Sequence, residues 1–182
     1  MVDYIISNLI IDQYIVEREQ ATSSYPTNLT GKHNGIPMFL QRSVALMTLL
    51  FLSPLLLILM LFIRLESVGG CLYSQDRIGK YGRHFRMYKF RSMYLKTDPR
   101  YVEPDPSTSD RDGICKKYKN DPRISILGAF IRKFSIDELP QLINIIKGDM
   151  ALIGPRPALA IEVNAYPTSA VCRLHGIPGL SG

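Results

Sequence analysis

The chain has 182 residues, a formal net charge of +6 and 46% hydrophobic residues, enough for one modest domain with a membrane element and too little for two enzymes. Three cysteines, Cys71, Cys115 and Cys172, stand far apart without a CxxC pair, which argues against a disulfide framework and against a zinc site and fits a reducing cytosol. Charge is uneven: residues 76–133 carry 15 of the 22 Lys and Arg against 7 Asp and Glu, an excess of +8 suited to binding anions. Membrane and nucleotide phosphates answer to that charge; no groove-reading motif accompanies it, so no nucleic acid is expected as a partner.

The first 20 residues carry Ile5, Ile6, Leu9 and Ile10, interrupted by Asn8 and Asp12. They suit a short helix or a strand equally, and with no basic lead they do not read as a signal peptide. Residues 21–37 turn to Ser, Thr, Asn, Gly and Pro and read as a linker.

Residues 44–63 form an unbroken apolar run flanked by Arg42 and Arg64, with only Thr48 and Ser53 polar. As a helix the run reaches about 30 Å, the depth of a bilayer's hydrocarbon core. Pro54 at its midpoint lacks an N–H and presses its ring against the carbonyl of Leu50, so a kink or break is expected there, with the Ser53 hydroxyl a nearby partner for freed backbone groups. Basic residues favour the cytoplasmic side of a membrane, and both ends are basic. A re-entrant hairpin that dips in and returns satisfies both ends; a kinked single-pass anchor is the alternative.

Beyond Arg64, Gly69-Gly70 reads as a turn and Leu72-Tyr73 as a short strand. The alternation of basic and bulky apolar residues in Arg83-His84-Phe85-Arg86-Met87-Tyr88-Lys89-Phe90-Arg91 predicts a strand with one face to the core and the other to an anion. Residues 97–122, rich in Asp, Pro, Ser and Lys, read as a long surface loop. Leu127, Phe130 and Ile131 share one face of a following helix. Ser135 to Gly148 predicts another: Ser135 and Glu138 have capping-box spacing, and Pro140 sits in the first turn. Leu139, Leu142, Ile143 and Ile146 line its apolar face, and Gly148 ends it.

Asp137 and Glu138 stand in that first turn, where a helix N-terminus lowers carboxylate pKa and keeps both ionised. Two such carboxylates can hold a divalent cation, although acidic residues favour any first turn on structural grounds alone. In Gly154-Pro155-Arg156-Pro157 two prolines fix the backbone around one guanidinium, which suits a phosphate or nucleotide contact or, equally, a solvated turn.

The ordered series of these motifs resembles the bacterial sugar transferase family, the monotopic phosphoglycosyltransferases. It comprises the membrane run with Ser53-Pro54, Gln75-Asp76-Arg77-Ile78-Gly79, Tyr88-Lys89-Phe90-Arg91-Ser92-Met93, Asp121-Pro122-Arg123, Ser135 through Leu142, Lys147-Gly148-Asp149-Met150, Gly154-Pro155-Arg156-Pro157 and Pro178-Gly179-Leu180-Ser181-Gly182. The resemblance implies a mostly helical α+β fold in which a re-entrant membrane helix hairpin packs with a small cytosolic α/β catalytic domain. The divisions are an N-terminal extension at 1–37, the membrane helix at 38–66 and a catalytic domain at 67–182 that stops short of where relatives continue.

It further implies transfer of a sugar 1-phosphate from a UDP-sugar to undecaprenyl phosphate, at the cytosolic face of the bacterial inner membrane, as the first step of glycan assembly. By that likeness Asp137 is the nucleophile, Glu138 with Asp137 holds Mg²⁺, Lys89 and Arg91 meet phosphates, and Arg156 meets the nucleotide or its diphosphate. Membrane lipids and glycan-assembly enzymes are the implied partners. The alternative is a shortened, catalytically inactive paralogue serving as a membrane-bound interaction module.

Overall fold

The computed structural model describes residues 36–110 and 118–181; the N-terminal extension and Cys115 lie outside them. The apolar run forms helix α1, Met38–Glu66, which stays helical through Pro54. Proline offers no N–H to the Leu50 carbonyl, and the Ser53 hydroxyl donates to it instead at 2.7 Å. The expected break therefore leaves the helix continuous, with no turn between two legs. Only one face is covered: Ala45, Leu56 and Ile63 are buried, while Phe39, Met47, Leu50, Phe51 and Leu65 on other sides stand exposed, Phe51 by 84%.

Both ends of α1 are fastened to the rest of the chain. At its start Gln41 Oε1 accepts from Leu152 N at 2.8 Å and Arg42 donates to the Lys147 carbonyl at 3.5 Å. At its end the Glu66 carboxylate accepts from the Ser125 hydroxyl (2.7 Å) and Leu127 N (2.9 Å). Arg91, 6% exposed, lies under that end and donates to the carbonyls of Val68, Ile63 and Ser67 and to the Ser67 hydroxyl at 2.6–3.2 Å. A cation at a helix C-terminus meets both the unpaired carbonyls and the negative end of the helix dipole.

Strands β1 (Leu72–Ile78) and β2 (His84–Phe90) form an antiparallel hairpin with Leu72 opposite Phe90 and Ile78 opposite His84. β1 is thus longer than the two residues its composition suggested. Tyr81 (φ 54°) and Gly82 (φ 75°) supply the left-handed backbone of the turn. Phe85, Met87 and Lys89 share one face of β2, and Phe90 belongs to the other. Met87 packs with Ala45, Leu142, Ile145 and Met150, whereas Phe90 packs with Leu56, Ile63 and Ile131. Both faces are covered, so the expected division into a core face and an anion face does not hold.

Ser125 caps helix α2 (Ile126–Lys133) by accepting from Gly128 N at 2.9 Å. Gly128 runs so close to the Ser92 carbonyl that a Cβ has no room. Ile131 is buried and Leu127 partly so, but Phe130 is 54% exposed and pairs its ring with Phe134, a departure from the single apolar face read from spacing. Upstream, the loop from residue 97 is pinned by ion pairs, Arg100 to the buried Asp98 at 2.9 Å and Arg123 to Asp121 at 2.7 Å; residues 111–117 lie outside the described range.

The single helix expected after Ser135 is two elements. Ile136–Gln141 is a 3₁₀ helix, followed by helix α3, Leu142–Lys147. Pro140 has no N–H for the Ile136 carbonyl, which denies this stretch an α-helical bond and favours the tighter winding. Ser135 sits in the left-handed region (φ 55°) and makes no side-chain cap, so the capping box is absent. The change of winding shifts the buried face to Leu142, Asn144 and Ile145. Gly148 (φ 92°) ends α3 as its position suggested.

Asn144, fully buried, pairs with the backbone of β2 as another strand would: Oδ1 accepts from Tyr88 N at 3.1 Å and Nδ2 donates to the Arg86 carbonyl at 2.7 Å. Strand β3 (Ala151–Ile153) then pairs in parallel with β4 (Gly179–Ser181) across a crossover containing helix α4 (Ala160–Asn164). Gly154 and Gly179 lie backbone to backbone, where a side chain on either would strike the other. The described residues thus form an α+β arrangement of two small sheets and one long apolar helix.

Replacing Asn144 by Asp sets an acceptor against the Arg86 carbonyl, and Arg91→Met strips the donors from the end of α1. Each is expected to destabilise by about 3 kcal/mol, read as a fall of roughly 10 °C in the thermal midpoint of the lipid-reconstituted chain.

Candidate active site

A cleft of about 340 Å³ opens between the hairpin, the 3₁₀ helix and the β3–β4 pair, lined by Arg77, Met87, Lys89, Glu138, Gln141, Arg156, Pro157, Gly179, Leu180 and Ser181. β2 presents Lys89, whose Nζ donates to Glu138 Oε1 at 2.7 Å. β1 presents Arg77, set opposite Phe85 and therefore on the same side of the hairpin as Lys89. The Gly154-Pro155-Arg156-Pro157 turn presents Arg156, exposed at the rim, and is held by Gly154 N on the Ser181 carbonyl and Gly179 N on the Pro155 carbonyl, both at 2.9 Å. Three cations and one carboxylate in so small a space favour a bound anion with several negative charges.

Of the residues singled out by sequence, Lys89, Glu138 and Arg156 meet in this cleft. Asp137 neighbours Glu138 but is half-buried outside the immediate lining. Its burial raises the carboxyl above the ordinary value, the Lys89 charge opposes this, and Glu138 adds to it. The expected lowering at a helix N-terminus is overturned, because the segment is a 3₁₀ turn in which desolvation outweighs the backbone dipole. Arg91 does not reach the cleft; the phosphate contact read from its motif is replaced by its hold on the end of α1. Ser53 and Pro54 stand in the middle of α1, remote in sequence from every lining residue.

Sequence reasoning assigned no role to Arg77, Gln141 or Ser181. Arg77 is 7% exposed and donates to the Pro157 carbonyl (3.2 Å) and Gln75 Oε1 (2.8 Å), joining the hairpin to the proline turn. Its motif was visible, but not the fold that carries it to Pro157. Gln141 was visible, with Asn144, as one of two polar residues within the apolar stretch 139–146.

Magnesium takes hard oxygen ligands and is commonly held through one or two carboxylates together with substrate phosphates. Asp137 and Glu138 fit that donor set, since Glu138 Oε2 has no partner among the described residues. No group of three or more metal-ligating side chains gathers there among the described residues, so bound phosphates would complete the ion's shell.

Residues 33–182 match the family model described as bacterial sugar transferase. The exopolysaccharide production protein ExoY of Rhizobium meliloti is 40% identical over 141 residues, 76% of this chain and 62% of the relative. The undecaprenyl-phosphate galactose phosphotransferase of Salmonella typhimurium is 40% identical over 141 residues, 76% of this chain and 29% of the relative. The undecaprenyl-phosphate glucose phosphotransferase of Komagataeibacter xylinus is 44% identical over 115 residues, 63% of this chain and 20% of the relative. The chain therefore spans between 20% and 62% of the length of these relatives. Because the family match takes in α1, the hairpin, the acidic 3₁₀ turn and both strands of the proline turn, the chain belongs to the bacterial sugar transferase family.

Proposed function

We propose that this protein moves a sugar 1-phosphate from a UDP-sugar to undecaprenyl phosphate through a phospho-sugar carried on Asp137. The reaction is set at the cytosolic face of the bacterial inner membrane and begins a glycan such as an exopolysaccharide. The observation that carries this reading is the gathering of Arg77, Lys89, Arg156 and Glu138 in one cleft, beside the half-buried Asp137. Relatives named as undecaprenyl-phosphate galactose and glucose phosphotransferases supply the substrate class.

An Asp137 carboxylate oxygen attacks the phosphorus that bears the sugar, and the bond from that phosphorus to the UMP oxygen breaks, UMP leaving with the electron pair. A phosphate oxygen of undecaprenyl phosphate then attacks the same phosphorus. The acyl phosphate bond breaks, and Asp137 returns as a carboxylate. Both encounters bring anions together, and Lys89, Arg77 and Arg156 offset their repulsion. Mg²⁺, when bound through Asp137 and Glu138, adds positive charge against the diphosphate. Half-burial limits water at Asp137, which guards an acyl phosphate against hydrolysis.

Helix α1 sets the site at headgroup depth. Its exposed apolar side chains enter the bilayer from the cytosolic side, with the helix continuous through Ser53–Pro54. Both ends and the covered face are bound to one charged domain. A spanning helix would draw Arg91, Lys147 and Glu66 towards hydrocarbon, at several kcal/mol each.

In nanodiscs containing undecaprenyl phosphate and Mg²⁺, the full chain with radiolabelled UDP-sugar is expected to yield labelled lipid. Asp137→Asn is expected to lower the rate by on the order of 10³-fold or more. Undiminished turnover in that variant removes Asp137 as nucleophile; a folded wild type that turns over no UDP-sugar supports the inactive-module reading.

The raised Asp137 carboxyl places the acid limb of kcat/KM above the range of a free aspartate, since activity needs the ionised form. Lys89→Met removes the charge that opposes the rise and is expected to move the limb higher still. A group with a raised folded pKa stabilises the fold below its unfolded pKa, and that contribution is lost as pH rises through the folded value. Asp137→Asn is therefore expected to melt higher than wild type at pH 7.5, with the difference shrinking in acid.

Single cysteines placed at residues 38 and 66, in a background without the native three, are expected to label from the cytoplasmic side only. Labelling of the two from opposite sides would make α1 a spanning helix.

A further inference from the structure

We propose that the Gln141 side-chain amide reads a hydroxyl of the transferred sugar, an inference that rests on the reaction proposed above. Gln141 is 3% exposed, lines the cleft and makes no side-chain hydrogen bond among the described residues. An amide so deeply placed needs partners for a carbonyl oxygen and two N–H groups, and the open side available to it is the cleft.

The winding of the chain puts it there. In a 3₁₀ helix residues three apart eclipse, and Glu138 and Gln141 are three apart in Ile136–Gln141. In an α-helix the two would be offset around the axis. The buried Pro140, by denying the α-helical bond to Ile136, aligns Gln141 beneath the carboxylate that Lys89 grips.

The cleft's chemistry selects the occupant. Arg77, Lys89 and Arg156 already match phosphate oxygens, which only accept hydrogen bonds. Met87, Pro157 and Leu180 offer apolar contact. A neutral amide that both donates and accepts complements a hydroxyl, which does the same. The sugar hangs on the phosphorus that Asp137 takes, and Gln141 is four residues along the same 3₁₀ segment from Asp137. A sugar hydroxyl close to that phosphorus is thus within its reach, while the nucleoside lies beyond the diphosphate.

The test pairs Gln141→Met, which keeps length and burial, with UDP-glucose, UDP-galactose and their monodeoxy analogues, using the lipid-reconstituted full chain. On the better of the two full sugars the variant is expected to lose roughly 10- to 100-fold in kcat/KM. One deoxy analogue is expected to be used equally by wild type and variant, because the hydroxyl and the amide are each other's partner. Affinity for UMP is expected to stay unchanged by calorimetry.

Calorimetry of the same sugars in the Asp137→Asn background repeats the comparison without turnover. An equal loss across every deoxy analogue, an accompanying loss of UMP affinity, or no loss at all in a variant with wild-type melting overturns the assignment to Gln141. A wild type that binds these sugars without turning them over overturns the transferase reading while leaving the binding comparison to decide on Gln141. One that binds none of them overturns both.

Discussion

The Asn144 amide bridging to β2 is the contact on which the geometry of the cleft depends. Its two side-chain bonds to Tyr88 N and the Arg86 carbonyl replace the strand partner that β2 lacks on that edge. Its own carbonyl accepts from Gly148, Asp149 and Met150, so one residue fixes α3 against the sheet and starts the turn into β3. The 3₁₀ helix is continuous with α3, and its position over β2 follows. A 2.7 Å contact between Lys89 and Glu138 requires a fixed spacing between strand and turn. Fully buried and fully bonded, the amide also discriminates among registers: sliding β2 by one residue would oppose donor to donor.

A second constraint acts from the membrane side. An apolar helix with one face on a charged domain cannot choose its depth freely, because every residue it carries inward brings part of that domain with it. Arg91 is the joint. Its guanidinium serves four acceptors at the end of α1, while the neighbouring backbone of β2 bears Lys89 two residues away. The positions of α1 and of Lys89 are thus set by one short length of chain. Glu66, which caps α2 from the last turn of α1, adds a second tie on the same end.

Much of this was legible in the chain itself. The length and apolarity of α1, the strand nature of residues 84–90 and the stop at Gly148 all follow from local residue chemistry. So does the donation of the Ser53 hydroxyl at the proline, since Leu50 loses a fixed backbone partner. What local pattern did not carry was competition between levels. Ser135 and Glu138 have capping spacing, but Lys89 offers Glu138 a charged partner from 49 residues away and wins. Arg91 looked like a phosphate ligand by its basic neighbours, yet it stands just past the end of β2, where the carbonyls at the end of α1 receive its guanidinium. Asn144 drew no reading from the sequence because its partners are backbone groups with no sequence signature.

The acidic pair gains its asymmetry from the same packing. Adjacent side chains on any helix diverge around the axis; on this 3₁₀ turn Glu138 faces the cleft and Lys89, and Asp137 turns into half-buried surroundings that disfavour its charge. Environments that push neighbouring acids apart assign them different work. The neighbour Glu138 is held in place by Lys89. The winding that sets these directions follows from Pro140, which denies the segment an α-helical bond, and from the left-handed Ser135 that precedes the turn.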